Sequence, residues 1–117
     1  MEDLTEFQKK KLKILNLVSN PEQAQKNMNK YQKSLRSKIF IKVLPSTKND
    51  KKFMILDPNT NKYVHFGSIF YEDFLKHKDI DRQMRYIKRF QNLLDSNNKS
   101  LNNQYSPYNL SLYILWM

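Results

Sequence analysis

Residues 39–68, IFIKVLPSTKNDKKFMILDPNTNKYVHFGS, decide the fold. On entering this stretch the helical spacing of apolar residues stops, and short runs rich in β-branched and aromatic side chains begin, which predicts strands. IFIKVL over 39–44 is the first, ended by Pro45 and the polar turn STKNDK. FMILD over 53–57 is the second and KYVHF over 62–66 the third, with Asp57-Pro58-Asn59 supplying turn chemistry between them. Links this short join antiparallel neighbours, so a three-stranded antiparallel meander is expected. A sheet of that size must bury one face against something else, and the flanking sequence has to supply helices. The expected class is therefore α+β: a small antiparallel sheet flanked by helices in a single domain.

Upstream, DLTEFQKKKLKILNLV over 3–18 places Leu4, Phe7, Ile14, Leu15 and Val18 near one helical stripe, interrupted by Lys11. Asn20 followed by Pro21 reads as an N-cap and first-turn proline, and Ala24, Met28, Tyr31 and Leu35 follow at helical spacing. A second helix is predicted over about 21–37, with a narrow apolar stripe that suits a surface position. Residues 1–37 thus read as a helical pair and 38–117 as the α+β core of one compact domain.

Downstream, Gly67 is the only glycine in the chain and marks a backbone position needing positive φ or a close approach. Ser68 is expected to cap a short helix running to about Lys76, and Asp79 or Asp81 to cap the next, roughly 80–95. DSNNKSLNNQY over 95–105 reads as a polar loop. Ser106-Pro107 opens a last element, YNLSLYILWM, holding the only tryptophan. So much apolar surface is expected to dock back on the domain. The alternative is a peptide that docks on another protein through Tyr113, Leu115 and Trp116.

A chain of 117 residues affords one modest core. Twenty-one Lys and Arg against eleven Asp and Glu give a formal charge of +10, which favours polyanionic partners, nucleic acid foremost. The absence of cysteine excludes disulfides, zinc fingers, thiol nucleophiles and iron–sulfur sites. No cofactor is called for. The charged start MEDLTEFQKKK lacks the apolar run of a signal peptide, and nothing approaches the ~20 apolar residues of a membrane span. The expected setting is intracellular or inside a particle, not secreted.

The chemistry is concentrated in residues 66–91, FGSIFYEDFLKHKDIDRQMRYIKRFQ. On a helix, Ile80, Met84, Ile87 and Leu94 share one face with Phe90 near its edge, and this face is expected to be core. Lys78, Arg82, Arg85 and Arg89 repeat at i, i+4, i+7 and i+11, and the helical period turns them outward. Such a stripe is either ordinary surface charge, some of it paired with Glu72, Asp79 or Asp81, or a phosphate-gripping surface. Its single sign over three turns and its use of Arg favour phosphate, because guanidinium forks onto phosphate oxygens. Lys76, Tyr86 and Lys88 complete the candidate nucleic-acid surface. Tyr63, Phe70, Tyr71 and Phe74 are further candidates for stacking on bases, though large rings in a small domain are mostly core.

The contiguous His77-Lys78-Asp79 lacks the His-x-Lys and distant-Asp spacing of phospholipase-like phosphoryl chemistry. His77 is expected to cap or pack at a helix junction and His65 to lie on a sheet face, with no nucleophile or anion cradle beside either. No catalytic or metal-binding residue is assigned, and the chain is not read as an enzyme.

Taken together, KFMILDPNTNKYVHFG through YEDFLKHKDIDRQMRYIKRF resembles an uncharacterised family of small basic proteins in large double-stranded DNA viruses. Phe66-Gly67, Tyr71, Asp73, His77-Lys78-Asp79, Arg82, Arg85-Tyr86, Arg89 and Leu115-Trp116 carry the resemblance, which covers about residues 52–91 plus the tail. Relatives tend to carry His where this chain has Phe90, and a second tail Trp. The resemblance implies a viral setting and no particular activity. Nucleic-acid binding without strong sequence readout is the expected function, DNA ahead of RNA. The alternative is a minor virion component docking on acidic virion proteins. A homo-oligomer is compatible with either.

Overall fold

A computed structural model describes residues 4–95 and 103–117, and of residues 93–95 the backbone alone. Its elements run α1 (Glu6–Val18), α2 (Pro21–Ser34), β1 (Leu44–Pro45), β2 (Lys51–Asp57), β3 (Lys62–Ser68), α3 (Phe74–His77), α4 (Ile80–Asp95), α5 (Pro107–Leu110) and a π-helical segment, Ser111–Trp116. The three strands form one antiparallel sheet in the order β1-β2-β3, so the α+β class holds. The radius of gyration, 13.9 Å, is near the ~13 Å expected of one compact chain of this length.

The central hairpin forms as its sequence requires. Lys51 faces Ser68, Phe53 faces Phe66 and Asp57 faces Lys62, so β2 and β3 each run two residues past the predicted apolar limits, at the start of β2 and the end of β3. Asp57 builds the turn: its carboxylate accepts from the Asn59 amide at 2.8 Å, its carbonyl from the Asn61 amide, and Asn61 takes the left-handed φ of 57°. β1 is shorter than expected. Only Leu44 and Pro45 pair with β2, facing Met54 and Phe53, and Pro45 is the strand's last residue.

The terminal run docks back, as its apolar content demands. Ser106 caps α5 by accepting from the Asn109 amide, with Pro107 in the first turn. The π-helical segment then becomes the hub, packing on α2, α3, α4, α5 and β3. Leu110, Ile114 and Leu115 join Ala24, Met28, Phe53, Ile55 and Phe66 in the main core. The α2 prediction matches closely: Asn20 caps it, Pro21 opens it, and Ala24, Met28 and Tyr31 are buried. The helix ends at Ser34, and its stripe faces the hub, where Tyr31 stacks on Tyr113 at 4.8 Å.

Three expectations are overturned. In α1 the interrupting residue is the anchor: Lys11 is buried with Gln8 and Leu15, while Phe7 and Ile14 are exposed. Lys11 Nζ donates to the carbonyls of Lys48 and Lys51 in the β1–β2 loop, and Gln8 donates to Pro45 O, so polar bonds to loop backbone set this helix's inner face. Ser68 does not cap α3. Asp73 does, accepting from the Leu75 amide at 3.1 Å, while the Ser68 hydroxyl serves a turn at Phe70.

The largest reversal is α4. Asp79 caps its first turn as predicted, accepting from the Arg82 amide. Ile80 and Met84, expected in the core, are 65% and 62% exposed, whereas Phe90 from the edge of that face is buried. Leu94, the fourth residue of the predicted core face, lies outside the described side chains, as does most of the predicted polar loop. Because α4 reaches the domain mainly through the hub, the helix turns Gln83 and Tyr86 inward: Gln83 donates to Trp116 O at 2.9 Å and Tyr86 stacks on Trp116. Arg82, Arg85 and Arg89 on the neighbouring face line a solvent-open concavity.

Candidate functional site

That concavity is a cleft of about 730 Å3 between α4, the ends of β2 and β3, and α5 with its π-helical continuation. Phe66, Gly67 and Leu115 form part of its lining from the core side, and Arg82, Arg85, Tyr86 and Arg89 line it from α4. At i, i+3, i+4 and i+7 these four are neighbours on one helical face, spanning ~10 Å along the axis. Lys51, Tyr71 and Glu72 line it from the sheet and the following loop, and Tyr108 and Ser111 from the C-terminal element.

Gly67 is where the backbone must come closest. Its φ is 80°, and a Cβ there would stand 2.8 Å from Leu115 Cδ1 and 3.2 Å from Lys52 Cβ. Both expectations for the lone glycine hold, the left-handed conformation and the close approach. Beneath it lies a buried ion pair, with Lys52 2% exposed and Lys52 Nζ 3.0 Å from Asp73 Oδ2. Burial pushes the Lys52 ammonium down and the Asp73 carboxyl up, and each partner partly restores the other. The Asp73 amide also donates to Val18 O, so one residue ties α1, β2 and α3 together under the cleft.

The arginines differ from this lysine. Among the described residues no carboxylate lies within ion-pair distance of Arg82, Arg85 or Arg89. Arg89 instead sits 5.6 Å from the centre of the Tyr86 ring, a cation–π contact. Tyr86 and Trp116 are parallel within 2° at 4.4 Å, so they form one rigid wall, and burial raises the Tyr86 phenol. Tyr71 and Tyr108 remain exposed at the cleft. A concave, positively charged surface with free aromatic faces is equipped to hold phosphate and to stack a planar ring.

Not every predicted residue arrives here. Lys78 lies outside α4, as the C-cap of α3 at φ 53°. Lys76 donates to Asn16 O at the end of α1, and Lys88 is exposed away from the cleft lining. Leu115 is fully buried, Tyr113 is stacked on Tyr31, and Trp116 is half-buried in the cleft wall, so these three serve the domain itself. Among the aromatics Tyr63, Phe70 and Tyr71 are exposed, against the expectation that most would be core. Lys51 and Tyr108 were missed. Only the fold brings them to the arginines, and the lysine-rich turn before β2 was the one available signal.

The histidines take structural roles. His77 Nδ1 accepts from the Asp79 amide at 2.9 Å, so the neutral ring carries its proton on Nε2, which is buried without a hydrogen-bond partner against Trp116. Burial and then Arg82 lower its pKa. His65 Nδ1 lies 2.7 Å from Ser46 Oγ, half of a nucleophile–base arrangement. Ser46 is fully buried, and its hydroxyl also accepts from the Lys48 amide, so no substrate reaches it. Among the described residues no three His, Asp or Glu side chains converge on a point that would hold a metal ion, and no helix is long and apolar enough to cross a membrane.

Phe66, Gly67, Tyr71, Arg82, Arg85, Tyr86, Arg89, Leu115 and Trp116, residues scattered over fifty positions, all line this cleft. No curated protein and no solved structure matches the chain. Residues 41–90, which contain the sheet, α3 and the arginines of α4, are similar to a family of unknown function, DUF5754.

Proposed function

We propose that the protein binds nucleic acid through its phosphate backbone, without strong sequence specificity, and that the cleft seats a single strand. The observation that carries this reading is the convergence of Arg82, Arg85, Arg89 and Lys51 on one concave surface where Glu72 is the sole acid among the described lining residues apart from the Lys52–Asp73 pair below. Three like charges on one helical face repel one another, and a ligand carrying several phosphates relieves that repulsion. Tyr71 and Tyr108 offer faces on which unpaired bases stack, worth about 1–3 kcal/mol per base. A duplex keeps its bases inside, so it uses the charge and not the rings. No base-reading motif is present, which favours backbone contacts over sequence readout.

The viral setting implied by the sequence resemblance places DNA ahead of RNA. It also leaves room for the second reading, a minor virion component whose basic face meets acidic proteins. That reading loses its C-terminal docking strip, since Leu115 is in the core.

Fluorescence anisotropy of labelled oligothymidine and of a duplex, titrated against salt, tests the proposal. Three to four phosphate contacts give log affinity for the single strand a slope of about −2 to −3 against log salt. The Arg82→Ala, Arg85→Ala, Arg89→Ala triple variant should lose most of that slope while remaining folded. Tyr71→Ala should weaken the single strand and spare the duplex. A folded triple variant that binds unchanged would overturn the reading.

A further inference from the structure

The first predicted strand leaves an unfinished sheet edge. Residues 39–43 do not pair with β2, and α2 holds them with side chains instead. Gln25 Nε2 donates to Ile41 O at 2.9 Å and its Oε1 accepts from the Val43 amide at 2.7 Å, so one side-chain amide imitates a neighbouring strand. Two helical turns later, Gln32 donates to Ile39 O at 3.0 Å. In extended chain the backbone groups of successive residues point to opposite sides. Those of Phe40 and Lys42 therefore point away from the glutamines, and among the described residues no hydrogen bond reaches them. Beside this segment runs an apolar groove of about 1090 Å3 lined by Leu4, Leu12, Ile39, Phe40, Leu56 and Tyr63. Phe40 is 66% exposed.

We propose that this edge accepts an extended segment of another protein, apolar at alternate positions and acidic between them. Unpaired backbone groups beside apolar pockets are what strand addition uses: main-chain bonds give affinity and alternate side chains give specificity. Charge selects the occupant. Lys38 and Lys42 stand exposed along the segment, and Glu22, the acid of the groove, lies 3.6 Å from Lys26, which offsets it. A second copy of the chain would set the same lysines against these and bring a further +10, whereas an acidic strand meets complementary charge. The groove shares no lining residue with the basic cleft, so the two proposals stand separately.

The test uses the full chain and the peptide Asp-Val-Glu-Ile-Asp-Val, titrated by NMR. Binding should slow hydrogen exchange of the Phe40 and Lys42 amides, and Phe40→Ala or Lys42→Glu should each weaken it by about tenfold, as loss of an anchor or of a charge partner does. Both side chains are exposed, so the variants keep the fold. No binding up to ~1 mM, an affinity at the weak limit of specific recognition, overturns the proposal. So does equal binding of the peptide with alternate backbone N-methyl groups, or with lysine replacing its acids. Dimerisation of the chain alone with protected Phe40 and Lys42 amides would also overturn it, by making the second copy the occupant.

Discussion

Helices α2 and α4 carry equally legible patterns and obey them differently. In α2 the apolar stripe is buried: Ala24 and Met28 lie in the core against the C-terminal hub. In α4 the corresponding stripe begins with Ile80 and Met84 in solvent, while Gln83, Tyr86 and Phe90 turn toward the hub. A periodic pattern reports that two faces differ. Which one is covered depends on what the rest of the chain brings up beside it. α2 meets Leu110, Ile114 and a stacking Tyr113. α4 meets Trp116, whose flat ring and carbonyl suit a tyrosine and a glutamine better than a methionine.

The same contrast separates two basic residues at the cleft. Lys52 is buried against Asp73, whereas Arg85 is exposed and pairs with no carboxylate among the described residues. Lys52→Ala should be the most damaging change, costing about 3–5 kcal/mol by stranding Asp73, while Arg85→Ala stays within about 0.5 kcal/mol. Urea unfolding reads both. Equal costs would mean that α4 is held by its arginines.

The methionines sharpen the helix comparison. Met28→Ala should cost about 2–5 kcal/mol, as a buried side chain leaving a cavity, and Met84→Ala within about 0.5 kcal/mol. A Met84 variant as unstable as the Met28 variant would break the reading of α4. Gly67→Ala should fall next, at about 1–3 kcal/mol, because it combines left-handed strain with a collision at Leu115. Thermal unfolding checks it, and the loss should be partly recovered by Leu115→Val.

The smallest effect is with pH. His65 and His77 are both lowered in the fold, chiefly by burial, from an ordinary value of 6.5. The unfolded chain therefore takes up these protons first. The histidines' contribution is complete above pH 6.5 and declines as pH falls from there through their folded values. Asp73, raised by burial, pulls the other way on acidification. The difference in urea midpoint between wild type and a His65→Gln, His77→Gln variant, followed from pH 8 to pH 5, isolates the histidine part.

Much of the local structure was written in short-range chemistry. Asn20-Pro21, Ser106-Pro107, Asp79 and the Asp57 turn act where their side chains can reach their own backbone, so sequence neighbours suffice. Gly67 was legible because only glycine tolerates both its φ and its neighbour. The arginine stripe was visible as a stripe, and its neighbours Lys51 and Tyr108 were not, since they come from β2 and α5, elements distant in sequence from α4. Lys11 was misread as an interruption because a sequence does not show that two loop carbonyls wait for its ammonium.

The sequence by itself determined most of the elements, the caps at Asn20, Asp79 and Ser106, the Asp57 turn, the α+β class and the basic character of one helix, all consequences of spacing and of bonds made within a few residues. The tertiary structure alone decided that the C-terminal run becomes the hub, that α4 presents its arginines to a cleft while Met84 faces water, and that Lys52 is paired with Asp73 while Arg82, Arg85 and Arg89 meet no carboxylate among the described residues. These outcomes depend on which distant surfaces meet. Burial free energy scales with the area that contact removes from water, a quantity that no local pattern contains.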